Sequence, residues 1–264
     1  MRRRVSSRLL GVFSCGVLVF LVGPILLVVP MSLSGAEYLE FPPSSLSLRW
    51  YAAYFSDPDW IEPTLFSLKI AALTAVAAAA LGCAASLALG RSRIGASSLV
   101  GALVAAPMIA PPIIVAVALY LVLSRLGLDG TTLGFVLAHT MLALPLVVFS
   151  VSASLRRIDP LLERVALSLG ASRIRAILRV TAPLALPGIL IGAAFAFITS
   201  FDEATVAFFL STADAKTLPK KMFEGIEWEL SPIIAAVSSL LMLVSLALVL
   251  VLMLFRRRSP LPAR

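Results

Sequence analysis

Charge is scarce in this chain. Asp, Glu, Lys and Arg make up 14% of its 264 residues, against about 25% in soluble globular proteins. Histidine occurs once, at His139, and cysteine twice, at Cys15 and Cys83. Both cysteines lie inside apolar runs, so neither a disulfide framework nor a zinc site is expected, and no metal ligands are assigned. One histidine cannot supply the HExxH pair of a zinc protease, and it has Thr140 rather than a serine beside it. No GxxxxGK[ST] run occurs, so the chain has no P-loop to cradle nucleotide phosphates. These absences argue against an enzyme, and no catalytic residue is assigned.

What is abundant is apolar surface: 60% of the residues are hydrophobic and mean hydropathy is +1.02. That excess is more than a soluble core can bury, so it must face lipid. A membrane helix needs about 20 mostly apolar residues. Six stretches qualify: residues 9–31, 65–89, 98–123, 133–155, 184–210 and 232–255. The first has a basic flank of Arg2, Arg3, Arg4 and Arg8, but it exceeds the roughly 7–15 residues of a signal-peptide core and reads as an uncleaved helix. Pro107, Pro111 and Pro112 interrupt the third stretch, Pro145 the fourth and Pro187 the fifth. Prolines in membrane helices are tolerated where neighbours or water satisfy the freed carbonyls. Kinked helices around a cavity and simple packing kinks both account for them. The expected organisation is a first helix over 1–31, an outer loop over 32–64, a core over 65–255 and a tail over 256–264.

The basic residues choose an orientation. Sixteen lie in the N-terminus, the 90s loop, the 156–182 loop and the C-terminal tail, and five, Arg49, Arg125, Lys216, Lys220 and Lys221, face the other way. Lys69 sits within the second apolar stretch. The positive-inside rule makes the first set cytoplasmic, with both termini inside. The net charge of +8 is thereby used as a topology signal, and nucleic acid is not an expected partner. Trp50, Tyr51, Tyr54 and Trp60 fall at the outer boundary, where an aromatic belt is expected.

The cytoplasmic segment 156–182 is too polar to span and too patterned for a slack linker. Asp159 and Pro160 read as an N-cap and first helical residue. Leu162, Val165, Ala166 and Leu169 make one apolar stripe, Gly170 interrupts it, and Ile174, Ile177 and Leu178 make a second. Two short amphipathic helices of this kind suit docking on a partner or lying on the bilayer.

The run Glu163-Arg164-Val165-Ala166-Leu167-Ser168-Leu169-Gly170-Ala171-Ser172, followed by Val180-Thr181-Ala182-Pro183-Leu184 and Pro187-Gly188, resembles the EAA loop of ABC importer permeases. Phe41-Pro42-Pro43, Ser47-Leu48-Arg49-Trp50-Tyr51, Ala138-His139-Thr140, Ser200-Phe201-Asp202-Glu203 and Thr217-Leu218-Pro219-Lys220-Lys221-Met222 are similar to the spermidine/putrescine type of that family. The resemblance implies an all-α polytopic protein with six transmembrane helices in a type I ABC importer permease fold, lodged in a bacterial inner membrane. It implies a second permease subunit, two ATP-binding subunits that use ATP and Mg, a soluble periplasmic substrate-binding protein, and surrounding lipid. No cofactor is expected on this chain, and polyamines are the implied cargo.

Glu163, Arg164, Ala166, Gly170, Ala171, Ser172 and Ile174 are then the candidates for coupling to the ATPase. The family triplet Glu-Ala-Ala is Arg164-Val165-Ala166 here, so either the partner accommodates a reversed charge or Glu163 supplies the contact. Asp202 and Glu203 are adjacent carboxylates within an apolar run. Three roles are open to them: an ion pair with Lys69, helix-end capping, and help to a passing cation. His139 either hydrogen-bonds a neighbouring helix or meets substrate. Lys220, Lys221 and Trp228, in a short helix expected over 219–230, are candidates for receiving the binding protein or for capping the bundle. A secondary transporter would carry the same kinks and buried charges, but segment 156–182 would have no work in it.

Overall fold

The computed structural model describes residues 2–91, 96–228 and 231–258. Among them the regular structure is helical, and the one extended pairing is an isolated bridge between Ser34 and Leu46. The helices are α1 (Arg2–Ser32), α2 (Arg49–Ser56), α3 (Pro58–Arg91), α4 (Ala96–Ile109), α5 (Pro112–Arg125), α6 (Thr132–Leu155), α7 (Pro160–Ser168), α8 (Arg173–Ala176), α9 (Ala182–Phe201), α10 (Thr205–Leu210), α11 (Leu218–Trp228) and α12 (Ile233–Arg258), with a π-helical turn at Ile177–Thr181 between α8 and α9.

Among the described residues, four stretches are long and apolar enough to cross a membrane: Leu10–Ser32, Pro58–Gly90, Thr132–Leu155 and Arg173–Phe201. The sequence expectation of six spans is met in the first, second, fourth and, in part, the fifth. The expected third span, 98–123, is two helices bent by 104° between Leu99–Ile109 and Pro112–Arg125. Two successive prolines supply no N–H, and Pro112 forces Pro111 out of the helical region, to φ −56° and ψ 130°. Counted as one broken span, the pair brings the total to five. The expected fifth span, 184–210, stops at Phe201 and resumes as the separate α10. The sixth, 232–255, corresponds to α12, of which Ile233–Ala247 is the apolar stretch recognised.

The chain divides into two compact units: Met1–Ile61 with Met222–Leu246, and Glu62–Lys221 with Ala247–Arg264. In the first, the Tyr51 hydroxyl bonds both Ser32 Oγ and Ser239 Oγ at 2.6 Å, tying α2 to α1 and α12. Tyr54 and Trp60 stack edge to face with centroids 6.4 Å apart. In the loop after α1, Glu40 Oε1 accepts from Ser34 Oγ, Ser44 N and Ser44 Oγ. Those donors hold its carboxyl below the ordinary range. The apolar side chains along α1 from Leu10 to Leu27 remain largely exposed, as a lipid- or partner-facing helix requires.

The second unit is organised on α6 and α9. Gly188, Gly192, Ala196 and Ser200 recur every fourth residue along α9 and are buried, which puts a strip of minimal side chains on one face. A Cβ at Gly192 would stand 3.1 Å from the Val147 Cα, and one at Gly188 would collide with Ser154. The backbones approach because these positions have no side chain. Val147 fills the resulting groove and also faces Gly82 of α3, where a Cβ would overlap its side chain. Hydrogen bonds fix the register: Ser150 Oγ donates to Gly188 O at 2.9 Å and Ser86 Oγ to Val148 O at 3.2 Å. Interhelical bonds of this kind contribute about 0.6–2 kcal/mol each in membranes.

We expect Gly192→Leu to force α6 and α9 apart and to cost about 1–3 kcal/mol by overpacking, seen as a lower melting temperature of the detergent-solubilised protein. Gly101→Leu, where an added Cβ meets nothing within 4 Å, should leave the melting temperature near that of the parent.

Candidate functional site

The segment after α6 forms a hairpin that leads into α9. Asp159 Oδ1 accepts from Leu161 N at 2.8 Å and Pro160 takes the first helical position, so α7 starts where the sequence places it. Its end is a Schellman closure: Gly170 N bonds Leu167 O at 3.0 Å and Ala171 N bonds Ala166 O at 3.1 Å. Gly170 has φ +84°, the left-handed region, while a Cβ there would meet no atom within 4 Å. The requirement for glycine is thus one of backbone conformation, not of space. Ser172 then caps α8, accepting from Arg175 N at 3.4 Å.

No break separates the hairpin from the fifth apolar stretch. α8 continues through the π-helical turn into α9, and Ala182 N bonds Ile177 O five residues back. The wider turn accommodates Pro183, which has no N–H for the normal ladder. The expected apolar stripes face outward from the chain. Leu169 is 83% and Ile174 is 70% exposed, whereas Ala176 and Thr181 pack inward. Of the coupling candidates, Ala166 and Ala171 are half-buried in the closure and Ser172 is the cap. Glu163 is half-buried, its Oε2 accepting from Thr181 Oγ1 at 3.3 Å, and Arg164 is exposed.

At the opposite end of α9 the two adjacent acids separate in role. Asp202 is the C-terminal cap position of α9, with its N–H on Ile198 O. Glu203 Oε1 accepts from Val206 N at 2.9 Å and so caps α10. The continuous apolar run expected around them is interrupted here because α9 ends at Phe201 and the short α10 begins at Thr205. Lys69 does not pair with either acid; its Nζ donates to Thr132 Oγ1 at 3.2 Å. The Asp202 carboxylate is exposed and accepts no hydrogen bond among the described residues, just past the stacked rings of Phe197 and Phe201 (centroids 6.0 Å apart). His139 is buried in the α6–α9 contact, its Nδ1 2.8 Å from Ser200 Oγ and its ring edge to face with Phe135. Its placement is that of an interhelical hydrogen bond, one partner removed from the acids. The four-residue spacing 188, 192, 196, 200 is the sequence signal that marks Ser200, whereas no spacing marks Thr181 as the partner of Glu163.

α11 begins at Leu218 rather than Pro219, because Leu218 N donates to Ser67 Oγ at 2.8 Å and the Leu218 side chain is fully buried. Lys220 Nζ lies 3.6 Å from the Phe208 ring centroid, a cation–π contact. Lys221 follows on the same helix, and Trp228 ends it. The remainder of the expected 219–230 helix, Glu229 and Leu230, lies outside the described residues.

Residues 78–259 match the family described as binding-protein-dependent transport system inner membrane component. The putrescine transport system permease protein PotI of Escherichia coli (strain K12) is 30% identical over 230 residues, covering 84% of this chain and 82% of that protein. The spermidine/putrescine transport system permease protein PotC of Haemophilus influenzae is 29% identical over 244 residues, covering 91% of this chain and 93% of its own. A bacterial ABC transporter involved in the import of the acidic polysaccharide alginate contains a chain of the same fold, with a TM-score of 0.75 at 17% identity and coverage of 98% and 97%. The matched region takes in α6, the hairpin, α9 and α11, and the chain belongs to the family of binding-protein-dependent transport system inner membrane components.

Proposed function

We propose that this chain is the translocation subunit of an ATP-driven importer and that its cargo is a polyamine of the putrescine or spermidine class. The observation that carries the cargo assignment is the similarity to PotI and PotC over more than four-fifths of the chain. The exposed, rigidly capped hairpin supports the ATP-driven mechanism, since a secondary transporter has no use for it. In this reading the chain crosses a bacterial inner membrane six times in a type I importer fold, the broken pair α4–α5 and the α12 region each counting as a span, with both termini in the cytoplasm. The core 65–255 carries the pathway and 156–182 the coupling loop. The chain works beside a second permease subunit, two ATP-binding subunits that consume ATP with Mg, and a soluble periplasmic binding protein. Lys220, Lys221 and Trp228 on α11 serve that protein's docking.

Movement of the cation needs a carboxylate that the fold has not already engaged. Glu203 is committed to the α10 cap and Asp202 is free, so Asp202 is the acid assigned to the path, with Phe197 and Phe201 offering ring faces to a cation. His139 holds Ser200, and through it the end of α9, in place.

Uptake of radiolabelled putrescine and spermidine with the cognate binding protein tests the assignment, and failure to carry either one refutes the cargo. Asp202→Asn should reduce uptake about tenfold, the loss of one charge-assisted contact of roughly 1.5 kcal/mol. Glu203→Gln keeps an acceptor for Val206 N and should change uptake by less than about threefold. Equal uptake by the two variants would remove Asp202 from the pathway.

Coupling has its own test. Gly170→Val places a β-branched residue at φ +84°, a conformation costing on the order of 1–3 kcal/mol. We expect normal membrane insertion but loss of hydrolysis stimulated by the loaded binding protein. Full stimulation in the assembled variant would refute the coupling role.

A further inference from the structure

Three helices of the second unit each bury every fourth residue along one strip: 70 to 86 on α3, 135 to 151 on α6 and 188 to 200 on α9. Residues at that spacing form a ridge on a helix surface. The ridges meet at Val147, which faces Gly82 of α3 and Gly192 of α9. α3 runs parallel to α6, as the Phe66–Phe135 ring contact and the Ser86 bond to Val148 O show. α9 runs antiparallel, with Ser150 on Gly188 O and His139 on Ser200. Two ridge steps from Gly82, Val147 and Gly192 therefore stand Thr74, His139 and Ser200, one from each helix.

This layer is polar between apolar ones. Ile70 and Phe135 belong to the buried cluster on one side of it, and Ala78, Ala143 and Ala196 to the cluster on the other. His139 Nδ1 lies 2.8 Å from Ser200 Oγ, so the second ring nitrogen, Nε2, points away from α9. Both His139 Nε2 and Thr74 Oγ1 are buried with no hydrogen-bond partner in the protein. A buried polar atom left unpaired is costly, and buried water is the usual means of satisfying one.

We propose that Thr74 and His139 hold one water molecule between α3 and α6, hydrogen-bonded to Thr74 Oγ1 and His139 Nε2. A neutral imidazole has one N–H and one acceptor nitrogen. Water donates and accepts, so it matches Nε2 in either tautomer. The donor set does not suit a metal ion, since no group of three His, Cys, Asp or Glu occurs among the described residues. The water extends the His139–Ser200 bond into a chain across three helices. Ser200 lies two residues before Asp202, so the end of α9 is positioned from α3 as well as from α6. The inference rests on helix packing and is independent of the cargo and of the ATP-driven mechanism.

His139 is the one histidine of the chain, so isotope labelling of histidine nitrogens reports this ring alone. The full chain, purified with a histidine-free affinity tag and reconstituted in vesicles, is the sample for magnetic resonance. Magnetisation transfer from water protons should reach Nε2 and fall severalfold in Thr74→Val, which keeps the side-chain shape and removes the hydroxyl. Thr74→Ser should retain the transfer. Thr74→Val should also melt about 2–4 °C below the parent, and that loss should vanish in a His139→Leu background, where the bridge is already broken. A hydroxyl turned back onto the Ile70 carbonyl, or left without any partner, would instead be replaced by a methyl group at no loss of stability. Absence of water transfer to Nε2 in the parent would overturn the proposal. So would undiminished transfer in Thr74→Val, or a melting temperature of that variant at or above the parent's.

Discussion

The close approach of α6 and α9 is the constraint on which the second unit depends. In a membrane the apolar face of a helix gains nothing by leaving lipid for another apolar face, so packing must come from contact distance and from polar groups that lipid cannot satisfy. Gly188 and Gly192 supply the distance, and the bonds of Ser150 to Gly188 O and of His139 to Ser200 supply the polar part. Val147 sits where both glycine surfaces converge, of α3 and of α9. The two ends of α9 are thereby referred to one scaffold: the hairpin at its start, and the pair Asp202 and Glu203 at its finish.

That arrangement gives the polar residues distinct work. Ser150 and Ser86 spend their hydroxyls on main-chain carbonyls of neighbouring helices. Glu203 spends its carboxylate on the first turn of α10, where a negative group also complements the helix dipole. Asp202, at the C-terminus of α9, faces the unfavourable end of that helix's own dipole and receives no hydrogen bond among the described residues. A carboxylate held at such a place without local compensation is the kind of group a passing cation can satisfy.

The hairpin follows the same logic at the other end. Caps at Asp159 and Ser172 and the Schellman closure at Gly170 satisfy the main-chain groups of two very short helices, which would otherwise be marginal in isolation. With the main chain satisfied locally, the outward apolar side chains Leu162, Val165, Leu169 and Ile174 remain exposed. The π-helical turn carries the hairpin into α9 without a flexible joint, because its wider hydrogen bond absorbs the proline that would have ended an α-helix.

Much of this was legible in the chain itself. Apolar runs longer than the bilayer core fixed the class, the Asp159-Pro160 and Gly170 signals fixed α7, and the run from Glu163 to Ser172 pointed to the family. These are local properties: run length, cap chemistry and backbone freedom act within a few residues. The sequence did not determine that Pro111-Pro112 bends its stretch by 104° rather than kinking it mildly, since neighbours decide how far a proline break opens. Nor did it divide Asp202 from Glu203, set Lys69 on Thr132, or turn Glu163 inward to Thr181 while leaving Arg164 outside. Those outcomes depend on which side chains from distant segments arrive within hydrogen-bond reach, and tertiary packing alone decides that.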